Sequence, residues 1–182
     1  MHNGMSEKIF VGNNPYRPKQ GEVHGSQITV DGETFYKISN SDLMRPFFMS
    51  VVSDSNHWMF ISSNGGLTAG RKNSEYALFP YYTDDKITEG AEITGSKTLI
   101  RLEKGGKTYL WEPFSDRQQG AYAIRRNLYK NAFCNKVIFE EINTDFDLTF
   151  RYQWNSTNLF GFAKKSSLHN HGNAPVKPHL LD

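Results

Sequence analysis

The sequence has little of what would hold a chain together covalently or place it in a membrane. Its single cysteine, Cys134, cannot form an internal disulfide, which is usual in reducing compartments. No apolar run approaches the roughly 18 residues of a spanning helix, and no apolar stretch with a cleavage site follows the N-terminus. We therefore expect a soluble, cytoplasmic protein with no membrane partner, in which Cys134 is a small apolar filler between strands.

An excess of charge of one sign is also missing. Lys plus Arg number 21 and Asp plus Glu number 19, and the two signs are interleaved along the chain. No basic stripe of the kind that neutralises phosphates is visible, so we expect no nucleic-acid partner. The chain has neither a Gly-x-x-x-x-Gly-Lys phosphate loop nor a Gly-x-Ser-x-Gly elbow, which disfavours common nucleotide-binding and acyl-transfer functions. No cofactor is predicted.

Helical periodicity is weak, whereas aromatic residues are abundant. The best helical candidate is a short piece at residues 74–78, but 14% of the residues are Phe, Tyr or Trp, which favour strands. The Asp31-Gly32 pair supplies the two positive φ angles of a tight turn and predicts a hairpin. Three hairpins are expected, at 27–30 with 33–38, 47–52 with 58–62, and 97–102 with 108–113.

Four more strands are predicted in the second half of the chain, at 123–129, 135–142, 147–154 and 159–164. In the third of them, Leu148, Phe150, Tyr152 and Trp154 alternate with polar residues, so one face belongs to a core. The predicted fold is all-β, an antiparallel two-sheet sandwich.

The sandwich is expected to occupy residues 25–168. Residues 1–24 form an extended lead-in, and residues 169–182, with two prolines and no room for another packed strand, form a linker toward an absent downstream domain. Within the sandwich, the Gly-rich stretch 63–73 is expected to be a long loop.

Candidate catalytic and metal-binding residues are few. His169 and His171 have metal-ligand spacing, but an incidental pair in a polar linker is the favoured interpretation, so no metal site is predicted. Acidic residues could in principle supply the acid and base of glycoside hydrolysis, but we expect them to be solvated charges on edges or turns, and no catalytic residue is assigned. These acidic residues are Asp84, Asp85, Glu140, Glu141, Asp145 and Asp147.

The best candidate surface is a carbohydrate-binding one. It combines flexible backbone, a bidentate cation and rings that could stack on a pyranose. Its predicted members are Asn64, Gly65, Gly66, Arg71, Tyr81, Tyr82, Trp58 and Trp111.

Four segments resemble a known family. They are SSNGGLTAGR at 62–71, LFPYYTDDK at 78–86, RNLYKN at 126–131 and FGFAKKSSL at 160–168. Together they are similar to the N-terminal galactose-mutarotase-like β-supersandwich of bacterial cellobiose-phosphorylase-type glycoside phosphorylases and hydrolases. The resemblance implies a non-catalytic domain that packs on a downstream helical toroid, helps dimerisation and lends a loop to the sugar cleft. The family's general acid and phosphate site lie chiefly in that toroid, so no catalytic residue carries over.

Two other functions stay open from the residues alone. One is a stand-alone enzyme of the aldose-epimerase or lyase type, dependent on His57 or Arg71. The other is a protein-interaction module that uses an exposed aromatic patch.

Overall fold

Antiparallel strands dominate the computed structural model of the chain, which describes residues 8–79 and 81–182. The first seven strands are β1 (Phe10–Val11), β2 (Asn14–Pro15), β3 (His24–Val30), β4 (Glu33–Ser39), β5 (Phe48–Val51), β6 (His57–Ser62) and β7 (Leu67–Arg71). The others are β8 (Leu99–Lys104), β9 (Lys107–Trp111), β10 (Ile124–Asn131), β11 (Lys136–Asn143), β12 (Leu148–Thr157), β13 (Gly161–Asn170) and β14 (His179–Leu181). The one α-helix in the described residues is the short α1 (Asp84–Glu89). The all-β prediction is confirmed.

The strands form one large sheet and three small ones. The large sheet has six strands in the order β13-β12-β11-β10-β4-β3, and the small sheets are β14-β8-β9, β5-β6-β7 and the β1-β2 hairpin. All three predicted hairpins are present as β3-β4, β5-β6 and β8-β9. In the first, Asp31 (φ 51°) and Gly32 (φ 79°) have the two positive φ angles that the sequence predicted.

The larger of two apolar clusters forms the core that joins the six-stranded sheet to the β5-β6-β7 and β8-β9 strands. Alternation selects its members: along β12, Leu148, Phe150, Tyr152 and Trp154 are all buried, as predicted. The facing sheets contribute Ile61, Leu67, Ile100, Leu102 and Trp111, which belong to the same cluster. Burying each such side chain stabilises the fold by about 1.5–3 kcal/mol. The arrangement is an all-β sandwich.

The Gly-rich stretch after β6 is not the long loop that the sequence predicted. Residues Leu67–Arg71 form β7, which pairs with β6 from Ile61 to His57. The glycines are there because α1 and the segment before it pack closely on this sheet; a Cβ at Gly66 would lie 2.0 Å from the Ile87 carbonyl oxygen. Small residues therefore mark close packing here, whereas composition alone indicated a loop.

The C-terminal residues also differ from the prediction. Strand β13 continues to Asn170, and β14 pairs with β8 through Leu180 and Ile100. The Asp182 carboxylate accepts hydrogen bonds from the Thr98 hydroxyl and the Lys164 ammonium. The expectation that this tail has no packed strand is wrong, because β8 offers a free edge that three residues can satisfy.

The remaining short elements lie after β7 and near the N-terminus. The predicted helical piece at 74–78 is a single 3-10 turn, Ser74–Tyr76, and the N-terminal lead-in is extended apart from the β1-β2 hairpin. Residues 1–7 of that lead-in lie outside the described residues. In the part of the chain that the structure describes, no helix is long and apolar enough to cross a bilayer.

Candidate functional site

The structure separates the residues that the sequence grouped into one binding surface. Asn64, Gly65 and Gly66 form the turn between β6 and β7, beneath α1. The Asn64 amide nitrogen donates a 2.9 Å hydrogen bond to the Thr88 carbonyl oxygen, and both glycines are buried. These three residues therefore anchor α1 to the sheet and do not form an open ligand loop.

Arg71 and Trp58 lie on opposite faces of the β6-β7 pair. Trp58 is the register partner of Gly70, whereas Arg71 is the partner of His57. Because side chains alternate along a strand, the Arg71 guanidinium points to the face that Trp58 does not occupy. The predicted combination of this cation with the Trp58 ring does not occur.

Trp111 belongs to the core. Its ring is 1% exposed, and its indole Nε1 donates a 2.7 Å hydrogen bond to Glu141 Oε1. The prediction that it could stack on a sugar is corrected, because no face of the ring reaches the surface. Tyr82 is half-buried in the irregular segment before α1.

The structure does bring Trp58 and Tyr81 together, and it extends them into a row of four rings. This aromatic stripe, on the outward face of β5 and β6, consists of Phe48, Phe60, Trp58 and Tyr81. Successive ring centroids are 5.2, 5.9 and 5.9 Å apart. The two end members are open, with Phe48 44% and Tyr81 56% exposed. Phe48 and Phe60 were not among the predicted site residues, although they alternate with core residues on the predicted second hairpin.

A second surface is a groove of about 710 Å³ on the outward face of the six-stranded sheet. Strand register arranges its floor in two rows across β10, β11, β12 and β13. The first row is Arg125, Ile142, Thr149 and His169; the second is Asn127, Glu140, Arg151 and Ser167. Lys37, on β4, lies above the Tyr129 ring at 5.4 Å from its centroid. We call this surface the basic groove.

Glu140 organises the middle of the basic groove. The side chain is 3% exposed and accepts hydrogen bonds from Asn127 Nδ2 (2.6 Å) and the Tyr129 hydroxyl (2.7 Å), and it pairs with Arg151. Burial opposes its ionisation, but these two hydrogen bonds and the Arg151 charge outweigh that cost and lower the pKa of Glu140. Burial and the same carboxylate raise the pKa of Tyr129, so its hydroxyl stays a donor.

Glu141 lies on the core side of the same strand. It is 1% exposed and accepts hydrogen bonds from Trp111 Nε1, from the Phe114 backbone N–H (2.7 Å) and from Arg126 Nε (2.8 Å). Phe114 has a left-handed φ of 66°, held in place by its bond to this carboxylate. Burial disfavours the charged Arg126, but Glu141 more than compensates and raises the pKa of Arg126. The interpretation of Glu140 and Glu141 as solvated charges is wrong.

The other candidate residues do not assemble into a reactive centre. His169 and His171 are in ring contact, 4.4 Å between centroids, but among the described residues no group of three His, Cys, Asp or Glu side chains could hold a metal ion. His57 Nδ1 lies 2.7 Å from Ser55 Oγ, and no carboxylate of the described residues bonds to its ring. Cys134 lies in the β10-β11 turn with a φ of 59°, so it is a turn residue and not a filler between strands.

Sequence reasoning missed the basic groove because its residues are spread over five strands. One local signal was present: Glu140 and Glu141 fall inside a predicted strand whose neighbours carry arginines at 125, 126 and 151. Carboxylates in a central strand are expected to form ion pairs or hydrogen bonds with side chains on neighbouring strands. Only the strand register shows which side chains these are.

In comparisons with known proteins, no protein-family model and no curated protein matches this chain.

Proposed function

We propose that this chain is a non-catalytic β-sandwich domain of a carbohydrate-active enzyme of the glycoside phosphorylase or hydrolase type. It acts as a scaffold for a downstream helical domain and contacts saccharide through the aromatic stripe. The observation that carries the proposal is the stripe itself, four contiguous rings that end in two exposed ones.

The geometry of the stripe suits a chain of sugar rings. The three ring-to-ring steps are 5.2–5.9 Å, and the C–H-rich faces of pyranoses pack on exposed aromatic rings. A Cβ at Gly70 would lie 2.5 Å from Trp58 Cζ2, so the glycine leaves room for the indole to pack against β7. The stripe is therefore fixed in position before a ligand arrives, which favours binding.

The domain context of the proposal is supported by the four sequence segments that resemble the phosphorylase family. The segment 62–71 includes β7, and the segment 78–86 includes Tyr81 of the stripe and the first residues of α1. A cytoplasmic, bacterial parent enzyme is part of the same proposal. The proposal agrees with the absence of a disulfide at Cys134.

Calorimetric titration with cello-, chito- and laminari-oligosaccharides tests the binding role. We expect millimolar or tighter binding of at least one series, weakened about 2- to 10-fold by Tyr81→Ala or Phe48→Ala, since one aromatic contact contributes about 0.5–1.5 kcal/mol. Tyr36→Ala is the matched control, because Tyr36 is 58% exposed and lies on β4, outside the stripe. Absence of heat with every series would leave only the scaffold role, and equal losses in Tyr36→Ala and Tyr81→Ala would show that the stripe is not the site.

A further inference from the structure

The basic groove carries more positive charge than its own acids neutralise. Its basic side chains are Lys37, Arg125, Arg151, His169 and His171, and its acidic ones are Glu140 and Asp147. The buried Glu140 is already paired with Arg151. Among the described residues, Lys37 and Arg125 have no ion-pair partner, so their charge is open to an anion from outside.

The unpartnered polar groups lie around the rim in fixed places. Arg125 and His169 end the same row of the sheet, three strands apart, a separation of roughly 14 Å. Ser167 lies on the same face of β13 as His169, two residues before it in the chain. Neither the Ser167 hydroxyl nor the His169 ring forms a hydrogen bond to another described residue, so both can bind hydroxyl groups of a ligand.

The centre of the groove is rigid. The charged groups of Lys37 and Arg151 are 5.4 and 5.8 Å from the Tyr129 ring centroid, and the Tyr129 hydroxyl is bonded to Glu140. Tyr129 is 4% exposed, so its ring offers no stacking platform. The groove therefore selects for charge and hydrogen bonding, in contrast to the aromatic stripe.

We propose that the basic groove is a binding site for an acidic saccharide, with separate anionic groups on Arg125 and on Lys37, whose strand positions are roughly 14 Å apart, and sugar hydroxyls on Ser167 and His169. A guanidinium fork bonds a planar carboxylate or a sulfate in bidentate fashion, which a lysine alone cannot do. The groove volume of about 710 Å³ lies within the range of small-ligand sites. The choice of a saccharide rests on the proposed function, whereas the anion site does not.

The test uses the full chain and four probes: trigalacturonate, a sulfated oligosaccharide, inorganic sulfate, and a neutral cello-oligosaccharide. Titration followed by amide NMR shifts should show trigalacturonate binding with perturbations at residues 125, 149, 167 and 169. Arg125→Gln should weaken that binding about tenfold or more, since a hydrogen bond to a charged group is strong, and added salt should weaken it further. Arg45→Gln is the matched control, an exposed arginine outside the groove.

The outcomes separate the two proposals. Sulfated oligosaccharides binding in place of trigalacturonate, with the same loss in Arg125→Gln, would support the site and identify sulfate as the anion. Inorganic sulfate binding as tightly as trigalacturonate would overturn the saccharide assignment. Equal losses in Arg45→Gln and Arg125→Gln, or no binding of any anion, would overturn the site. Neutral oligosaccharides test the aromatic stripe alone, because their binding should depend on Tyr81 and not on Arg125.

Discussion

Glu140 and Glu141 are neighbours in β11, yet their carboxylates lie on opposite faces of the six-stranded sheet, each paired with its own arginine. Glu140 meets Arg151 in the basic groove, and Glu141 meets Arg126 beside the core. Strand alternation places them apart, and the register of β10 and β12 supplies the partners. Glu140 thus holds side chains of a candidate binding surface in place, and the adjacent Glu141 does the same on the side of the sandwich interior.

Removal of the Glu141 charge should lower the free energy of unfolding. Glu141→Gln leaves the mostly buried Arg126 with only the exposed Asp116 as counter-ion, and breaking a buried pair in this way costs at most about 3–5 kcal/mol. Trp111→Phe removes the donor to Glu141 and also leaves a cavity in the core, so it should cost at least about 1–3 kcal/mol. Urea unfolding of both single variants and of the double variant measures these losses in the free energy of unfolding. Additive losses in the double variant would show that the two side chains do not interact, contrary to the structure.

Acidification should weaken the fold through Glu140. The folded-state pKa of Glu140 is lowered below its ordinary value of 4.5, so its stabilising contribution is complete above that pH and is lost as the pH falls through the lower, folded-state value. Glu140→Gln should therefore be less stable at neutral pH, and the difference should shrink below pH 4.5. Chemical denaturation at several values from about pH 7 to about pH 3 gives both curves. A constant difference over that range would show that Glu140 is not ionised in the way described.

Much of the fold could be predicted because hairpins are local. The Asp31-Gly32 turn and the alternation at Leu148 and Phe150 need only neighbouring residues. Strand β7 and strand β14 could not be recognised in the same way. Gly70 packs against Trp58, and Leu180 pairs with Ile100, so both strands are specified by residues distant in the sequence.

The candidate site was less predictable than the fold for a physical reason. Side chains alternate between the two faces of a sheet, so an aromatic residue in a strand lies either in the core or on the surface. A shift of one residue in the strand register exchanges the two faces. Trp58 and Trp111 look alike in the sequence, but Trp58 lies in the aromatic stripe and Trp111 in the core. The basic groove depends on four register pairings at once, so no local motif could reveal it.

The close approach of α1 to β7 gives a further prediction. Gly66→Ala places a Cβ 2.0 Å from the Ile87 carbonyl oxygen, a backbone atom that cannot move without shifting α1. Such overpacking should lower the free energy of unfolding by about 1–3 kcal/mol. Gly25→Ala is the control, since Gly25, like Gly66, does not have a left-handed φ, but nothing lies within 4 Å of its Cβ position. Equal stability of the two variants in thermal unfolding would contradict the packing of α1 on this sheet.

Strand β14 leads to the last prediction. Deletion of residues 179–182 removes the strand that pairs with β8 and the Asp182 carboxylate that accepts from Thr98 and Lys164. The core cluster contains no residue of β14, so the shortened chain should still fold, with a loss of about 1–3 kcal/mol from the few hydrogen bonds removed. Hydrogen exchange should accelerate at Leu99 and Arg101 of β8, whereas the Asp182→Asn variant should keep the ladder and lose only the ion pair with Lys164. Unchanged exchange along β8 after the deletion would show that β14 does not pair there in solution.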